Sequence, residues 1–294
     1  MYKKLLIGVC CAIVCLAVLQ SRDLLLASPQ IPTRKIGQYS QSLLPSHTSR
    51  NERRYGETYF DFQQPLNKFG AVTKGDVLRH MLTEDVRQVL EFGCSGGLII
   101  AGLPNQYEKF CVEINPQARK HAETLHALKR HVFARVPRSL RADFIYSTSV
   151  LEHCDCPLCE LQKLKHSLRP GGTLLIGVKN DGRDPTQTFG RFRGDVNRHI
   201  YTWNELLLVN LLSSAGLIPC GAVGQYEAWH EPMTIDHYEA DKMAYCMKGL
   251  EVGRNQNVYY IWSAAVLPED EHRCDSVRNR LADLQGCKYL RQFS

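Results

Sequence analysis

The sequence has no Asn-x-Ser/Thr site and no visible internal repeat, and no G-x-G-x-x-G fingerprint follows any apolar run. Without a repeat, a solenoid or propeller is excluded. The missing fingerprint disfavours a nucleotide-dependent oxidoreductase, because Gly93 and Gly96 stand in the wrong register for one. Excess charge of one sign is also scarce: the net charge of +6 is too mild to argue for nucleic acid. One basic stretch, from Arg119 to Arg141 with Glu123 as its single acid, reads as a solvated helix face and the loop after it. What is present is ordinary globular composition, 44% hydrophobic and 22% charged, which argues against wholesale disorder. With 294 residues, one full-sized domain plus appendages is the simplest organisation.

A long apolar run is also missing. Leu5 to Leu19 is uncharged, follows Lys3 and Lys4, and extends to Ser21 through two small polar residues. Its fifteen residues are marginal against the about 17–25 that span a bilayer. No clean small-x-small cleavage site follows, so an uncleaved signal anchor over residues 1–27 is expected ahead of a cleaved signal peptide. Positive charge before the run favours a cytosolic N-terminus and a body across the membrane. Residues 28–54, with three prolines and many Ser and Gln, have linker composition. Anchor, stem and globular body is the layout of a single-pass type II membrane enzyme of the Golgi or endoplasmic reticulum. Three of the twelve cysteines lie in the apolar run, leaving nine with no disulfide-framework spacing; Cys274 and Cys287 could be bridged.

Periodicity predicts a helix over 74–83, a strand over 88–92 and a helix start over 97–103. A strand over 109–114 and a helix over 116–128 follow, then strands over 131–134 and 142–147. A helix runs on through 161–168, Arg169-Pro-Gly-Gly172 breaks it, and a buried strand covers 173–178. A helix over 203–215 closed by Gly216, late strands over 217–223 and 258–266, and a terminal helix over 276–291 complete the pattern. Strands alternating with helices mean an α/β protein with a parallel sheet covered on both faces.

The stretch VLEFGCSGGLII, Val89 to Ile100, sits at a strand-to-helix joint with Gly93, Gly96 and Gly97. A tight turn needs fewer glycines, which suggests that a ligand approaches the backbone there. Glu91, Gly93, Ser95 and Gly97 alternate in small-residue register. KFCVEINPQA ends a second strand in Glu113, DFIYSTSVLEHC carries a fourth strand and an LEH turn, and LRPGGTLLIGV enters a fifth. In order and spacing, over roughly residues 76–265, these motifs resemble class I S-adenosylmethionine-dependent methyltransferases, closest to the group that includes the ubiquinone and menaquinone enzymes. The resemblance implies a Rossmann-like fold with a seven-stranded, mostly parallel sheet whose last strand is antiparallel. The methyltransferase domain is expected over 55–267, with a helical extension over 268–294. HVFARVPR departs from the family pattern, lacking the acidic residue that often contacts the adenine amine.

By this resemblance S-adenosylmethionine is the cofactor, with Glu91, Gly93, Ser95, Gly97, Glu113 and Ser147 at its site. Glu91 is suited to accept from the amino group, and Glu113 to take both ribose hydroxyls, as acids do in dinucleotide sites. A hydroxyl acceptor needs a base; His199 and His153 are the candidates, with Asn180, Asp181, Arg198, Tyr201 and Trp203 expected around the acceptor. His153-Cys-Asp-Cys-Pro-Leu-Cys159 supplies three thiols and an imidazole, but a zinc knuckle there would distort the cofactor loop, and no metal is expected. The expected activity is O-methylation of a glycan or small molecule. A catalytically inactive binding protein on the same fold is the alternative, which intact Glu91 and Glu113 oppose. Nucleic acid is not an expected partner: no Asn-Pro-Pro-Tyr-like signature and no RNA-binding module is present.

Overall fold

A computed structural model describes residues 57–180, 199–225, 230 and 233–293. The expected anchor and stem, and with them Asp181 and Arg198, lie outside the described residues. Among the described residues, no helix is long and apolar enough to cross a membrane.

Seven strands form one sheet: β1 (Gln88–Phe92), β2 (Glu108–Val112), β3 (Val132–Phe133), β4 (Ala142–Thr148), β5 (Leu168–Lys179), β6 (Ile218–Gln225) and β7 (Tyr260–Val266). Their spatial order is β3-β2-β1-β4-β5-β7-β6. The pairs among β1 to β5 are parallel, and β7 runs antiparallel to both β5 and β6. The sheet is therefore seven-stranded and mostly parallel, as the family resemblance implies. The chain leaves β1 in one direction to build β2 and β3, then returns to place β4 on the other side. The carboxyl ends of β1 and β4 thus flank the topological switch point, where open α/β sheets bind ligands.

Alternation along the strands makes two apolar layers. Leu90, Ile145, Leu174, Ile176 and Val178 pack against Leu161 and Leu164 of α4 (Pro157–Ser167) and Leu208 and Leu212 of α5 (Glu205–Ser214). On the other face, Val89, Phe144, Tyr146, Leu175 and Trp262 meet α1 (Glu57–Met81) and α8 (Cys274–Leu284) through Val77, Leu78, Val277 and Leu281. Each such side chain contributes about 1.5–3 kcal/mol on burial, so the two-layer core is the main source of stability.

Four helical features differ from the sequence reading. The first helix starts at Glu57 rather than near residue 74, with Pro65 inside it, a residue that argues against helix interior. The helix after β1 is only α2 (Leu98–Ala101). Its last carbonyl, at Ala101, and that of Leu103 just beyond it accept from the buried Lys109 ammonium of β2. Two unexpected helices, α6 (Ile235–Ala240) and α7 (Lys242–Gln256), start at side-chain caps from Thr234 and Asp241. The terminal helix stops at Leu284, where Gly286 and Cys287 take positive φ of 74° and 66° and turn the chain. Between β2 and β3, α3 (Pro116–Thr124) opens on an Asn115 cap with proline in its first turn.

Cys274 and Cys287 are both bridged, but not to each other. Cys220 pairs with Cys274, and Cys246 with Cys287. The first bond ties the edge strand β6 to the start of α8, and the second ties α7 to the terminal segment. Cys94–Cys111 and Cys156–Cys159 are also bonded, and Cys154 is the one free cysteine among the described residues.

Candidate active site

A cavity of about 1260 Å³ opens at the carboxyl ends of β1, β2 and β4. Glu91, Gly93, Ser95 and Glu113 line it, and so do His153 and His199. Pockets for drug-sized ligands are about 300–1000 Å³, so this space accommodates a nucleoside-sized cosubstrate beside a modest second ligand.

The loop after β1 is built by backbone chemistry. Gly93 and Gly97 have φ of 78° and 76°, and Ser95 lies between them at 48°. The Gly93 and Cys94 N–H groups donate to Val112 O at 2.8 and 3.2 Å, which pulls the loop onto the end of β2. A Cβ at Gly93 would stand 2.3 Å from a Val150 methyl, and one at Gly97 would stand 2.5 Å from Leu128. Both glycines are thus required by left-handed backbone and by close packing of protein on protein. Gly97 does not line the cavity; it seats the loop from behind. The Cys94–Cys111 bond fastens the same loop to β2.

Glu113 is fixed by that loop. Its two oxygens accept the Ser95 and Asn115 backbone N–H groups, each at 2.8 Å. A carboxylate has about four lone-pair sites, so each oxygen keeps capacity for one further donor, as a ribose diol requires. Burial pushes the Glu113 carboxyl above its ordinary range, against these backbone hydrogen bonds, which draw it down.

Glu91 is 1% exposed, and its Oε2 makes no hydrogen bond among the described residues. Burial raises its pKa to about 8, while the adjacent Tyr146 hydroxyl, the Ile100 backbone N–H and the Lys74 ammonium pull the other way. The Tyr146 hydroxyl itself makes no well-aimed hydrogen bond, so its pull is electrostatic proximity rather than a regular bond. A buried carboxylate oxygen with spare accepting capacity at the wall of a cavity is suited to an ammonium group.

The other expected residues divide. Ser147 does not line the cavity; its Oγ donates to Phe92 O at 2.9 Å and locks β4 to the end of β1. Asn180 donates through Nδ2 to Trp203 O at 3.2 Å, which spends its amide on holding the chain after β5. Trp203, 6% exposed, belongs to the apolar layer under α4 and α5 and not to the cavity wall. Tyr201 donates its hydroxyl to Asp155 O at 3.2 Å, also outside the lining. In the HCDCPLC segment, Cys156 and Cys159 bond to each other across the first turn of α4, so neither is a thiolate ligand. Burial raises the Cys154 thiol to about 12, which keeps it protonated.

The structure adds residues that sequence reasoning did not single out. Asn67 of α1 donates to Ser95 Oγ at 2.9 Å, and Phe60 stands beside His121, whose Nδ1 lies 3.0 Å from Gly96 O. Lys74 donates to Ser149 Oγ at 3.3 Å. Through α1 the chain covers the cofactor loop; the spacing of Leu66, Phe69, Thr73 and Val77 was the available signal. Glu152 is the other addition, a buried acid one residue before His153 and on the cavity wall.

A family model described as a methyltransferase domain matches residues 65–218, more than half of the chain. The chain belongs to that family: it is a class I S-adenosylmethionine-dependent methyltransferase, and the carboxylates at the cavity wall fit that cosubstrate. Curated relatives include the tRNA U34 carboxymethyltransferase of Pseudoalteromonas translucida (strain TAC 125), 31% identical over 134 residues, 40% of this chain and 41% of that protein. The same enzyme of Pseudoalteromonas atlantica is 32% identical over 108 residues, 33% of each chain. The chain therefore matches 41% and 33% of the length of these relatives. A chain of the Haloferax volcanii complex between the Trm112 methyltransferase activator and a methyltransferase superposes with a TM-score of 0.51 at 14% identity. That match covers 77% of this chain and all of the other, and it shows a shared fold.

Proposed function

We propose that the protein transfers a methyl group to an oxygen of a small-molecule or glycan acceptor. The observation that carries this reading is the single cavity in which Glu91 and Glu113 share a wall with His153 and His199. When bound, S-adenosylmethionine supplies a methyl group on a positively charged sulfur. Glu91 accepts from its amino group, Glu113 from its ribose hydroxyls, and the Gly93–Ser95 backbone forms the floor between them. The transfer is an in-line displacement, so alignment and exclusion of water do most of the work. The acceptor oxygen uses a lone pair to form the C–O bond as the C–S bond breaks, with its electron pair left on sulfur. The hydroxyl proton goes to an imidazole, for which His199 and His153 are the cavity's two candidates.

The setting we infer is lumenal, behind an N-terminal membrane anchor. Four disulfides among the described residues support it, since such bonds persist in oxidising compartments. The curated relatives are named for a tRNA substrate, but the match spans too little of them to bring that acceptor here. The test is label transfer from methyl-labelled S-adenosylmethionine to three pools: small hydroxylated metabolites, glycans and tRNA. Label in either of the first two is expected. Label confined to tRNA would overturn the reading.

A further inference from the structure

We propose that Glu152, His153 and His199 bind one divalent transition-metal cation at the acceptor end of the cavity. Each offers one ligand atom, and the three atoms lie within 4.8 Å of one another. Donors around a shared zinc-sized ion, each at about 2.1 Å, stand roughly 3.5 Å apart, so small side-chain rotations close the set. Two imidazoles and one carboxylate are a three-ligand constellation that leaves coordination positions open to a substrate.

The backbone brings the set together. Glu152 and His153 sit on the 3₁₀ turn Leu151–His153 directly after β4, closed by His153 N–H to Val150 O at 2.9 Å. His199 arrives from a distant part of the chain, held by Ile200 N–H donating to Glu152 O at 2.9 Å. The His153 and His199 rings lie 4.8 Å apart, centroid to centroid. Glu152 is 1% exposed, and all three residues line the cavity that Glu91 and Glu113 share. The nearby Cys156 and Cys159 are bonded to each other, and the Cys154 thiol donates to Val150 O at 3.4 Å and is not among the three grouped ligand atoms, so the donors are nitrogen and oxygen. Imidazole-rich sets favour zinc, iron, cobalt or nickel over magnesium and calcium, which take oxygen.

The chemical consequence rests on the methyl-transfer-to-oxygen reading; the cation site itself does not. An acceptor hydroxyl in the open position becomes more acidic, and its O–H bond breaks with the electron pair left on oxygen. The proton passes to solvent water, and that oxygen pair then forms the C–O bond described above. In this scheme His153 and His199 are both ligands, and solvent water takes the place of the imidazole as proton acceptor.

The test uses the full chain, stripped with a chelator and titrated with Co²⁺, then with Zn²⁺ in competition. S-adenosylhomocysteine affinity is measured on the same samples. One Co²⁺ per chain is expected, with visible bands and no near-ultraviolet sulfur-to-cobalt charge transfer. H199A and the isosteric E152Q should each weaken it roughly tenfold or more. Unchanged S-adenosylhomocysteine affinity in H199A would show that its fold is intact. A sulfur band, Co²⁺ affinity indifferent to H199A and E152Q, or no Co²⁺ binding by a chain that binds S-adenosylhomocysteine would overturn the cation site alone. Co²⁺ bound with the expected spectrum but no S-adenosylhomocysteine binding would leave the site standing and overturn the methyl-transfer reading. Binding of neither would overturn both.

Discussion

The rings of His153 and His199 lie 4.8 Å apart at an interplanar angle of 51°, one from the turn after β4 and one from the segment before α5. They share a wall of the cavity with the two carboxylates of the cofactor end. His199→Ala should therefore lower kcat by about 10² or more, the usual size for loss of a group that takes the acceptor's proton or assists its release, with cosubstrate affinity intact. Steady-state kinetics and a binding titration on one preparation check this. An equally active variant would move the acceptor chemistry elsewhere.

Glu113 holds the cofactor loop by its Ser95 and Asn115 hydrogen bonds and is also placed to receive the ribose. Glu113→Ala should weaken S-adenosylhomocysteine binding by more than tenfold, since hydrogen bonds to a charged group contribute about 1.5–3 kcal/mol each. Circular dichroism should show the fold retained. Unchanged affinity would remove the ribose assignment.

Glu91 makes ligand binding and stability depend on pH. Its carboxyl ionises at about 8 in the folded protein because of burial, against a reference value of 4.5. Across that window the folded state holds a proton that the unfolded chain has released. Raising the pH from 4.5 to 8 therefore removes stability through this group, and above about 8 its contribution levels off. A cationic ligand favours the carboxylate, so binding at pH 7 should release a proton. Calorimetry in two buffers of different ionisation enthalpy reads that release directly. It should vanish in Glu91→Gln; its absence in the unmodified protein would contradict the role given to Glu91.

How much of this was legible in the sequence depends on the range of the physical cause. β1 is placed at residues 88–92 as expected, because the buried apolar pair Val89 and Leu90 and the glycine punctuation after it are local signals. The strand alternation also implied the parallel sheet, and the motif register implied its seven strands. The reach of α1 over the loop was hidden by Pro65, and the Asn67–Ser95 contact by the chain distance between its partners. Trp203 and Asn180 have residue types that suit a ligand pocket, yet one fills the core and the other holds a loop. Only the position of α5 against the sheet decides that. Disulfide partners were likewise out of reach, because spacing does not encode which elements meet in space.

Asp76 illustrates such a long-range assembly. Fully buried on α1, it pairs with Arg79, accepts the Tyr238 hydroxyl at 2.8 Å and meets Lys242 Nζ at 3.1 Å. Asp76→Ala leaves these donors without their shared acceptor and should destabilise the fold by about 3–5 kcal/mol. Denaturant unfolding measures it. A change below about 1 kcal/mol, typical of a surface pair, would show that the network contributes little.

The Cys220–Cys274 bond closes a chain separation of 54 residues. Constraint of the unfolded chain by a loop of that size amounts to about 4 kcal/mol. The double variant Cys220→Ala with Cys274→Ala should lose about 2–5 kcal/mol, and the unmodified protein should lose its advantage over that variant under reductant. Equal unfolding curves with and without reductant would contradict a bonded pair.

The most direct measurement is calorimetric titration of the full chain with S-adenosylhomocysteine, with NAD as the control. One saturating site for S-adenosylhomocysteine and none for NAD is the expected result. A folded protein that binds neither, or binds NAD alone, would contradict the assignment of Glu91 and Glu113 to this cosubstrate.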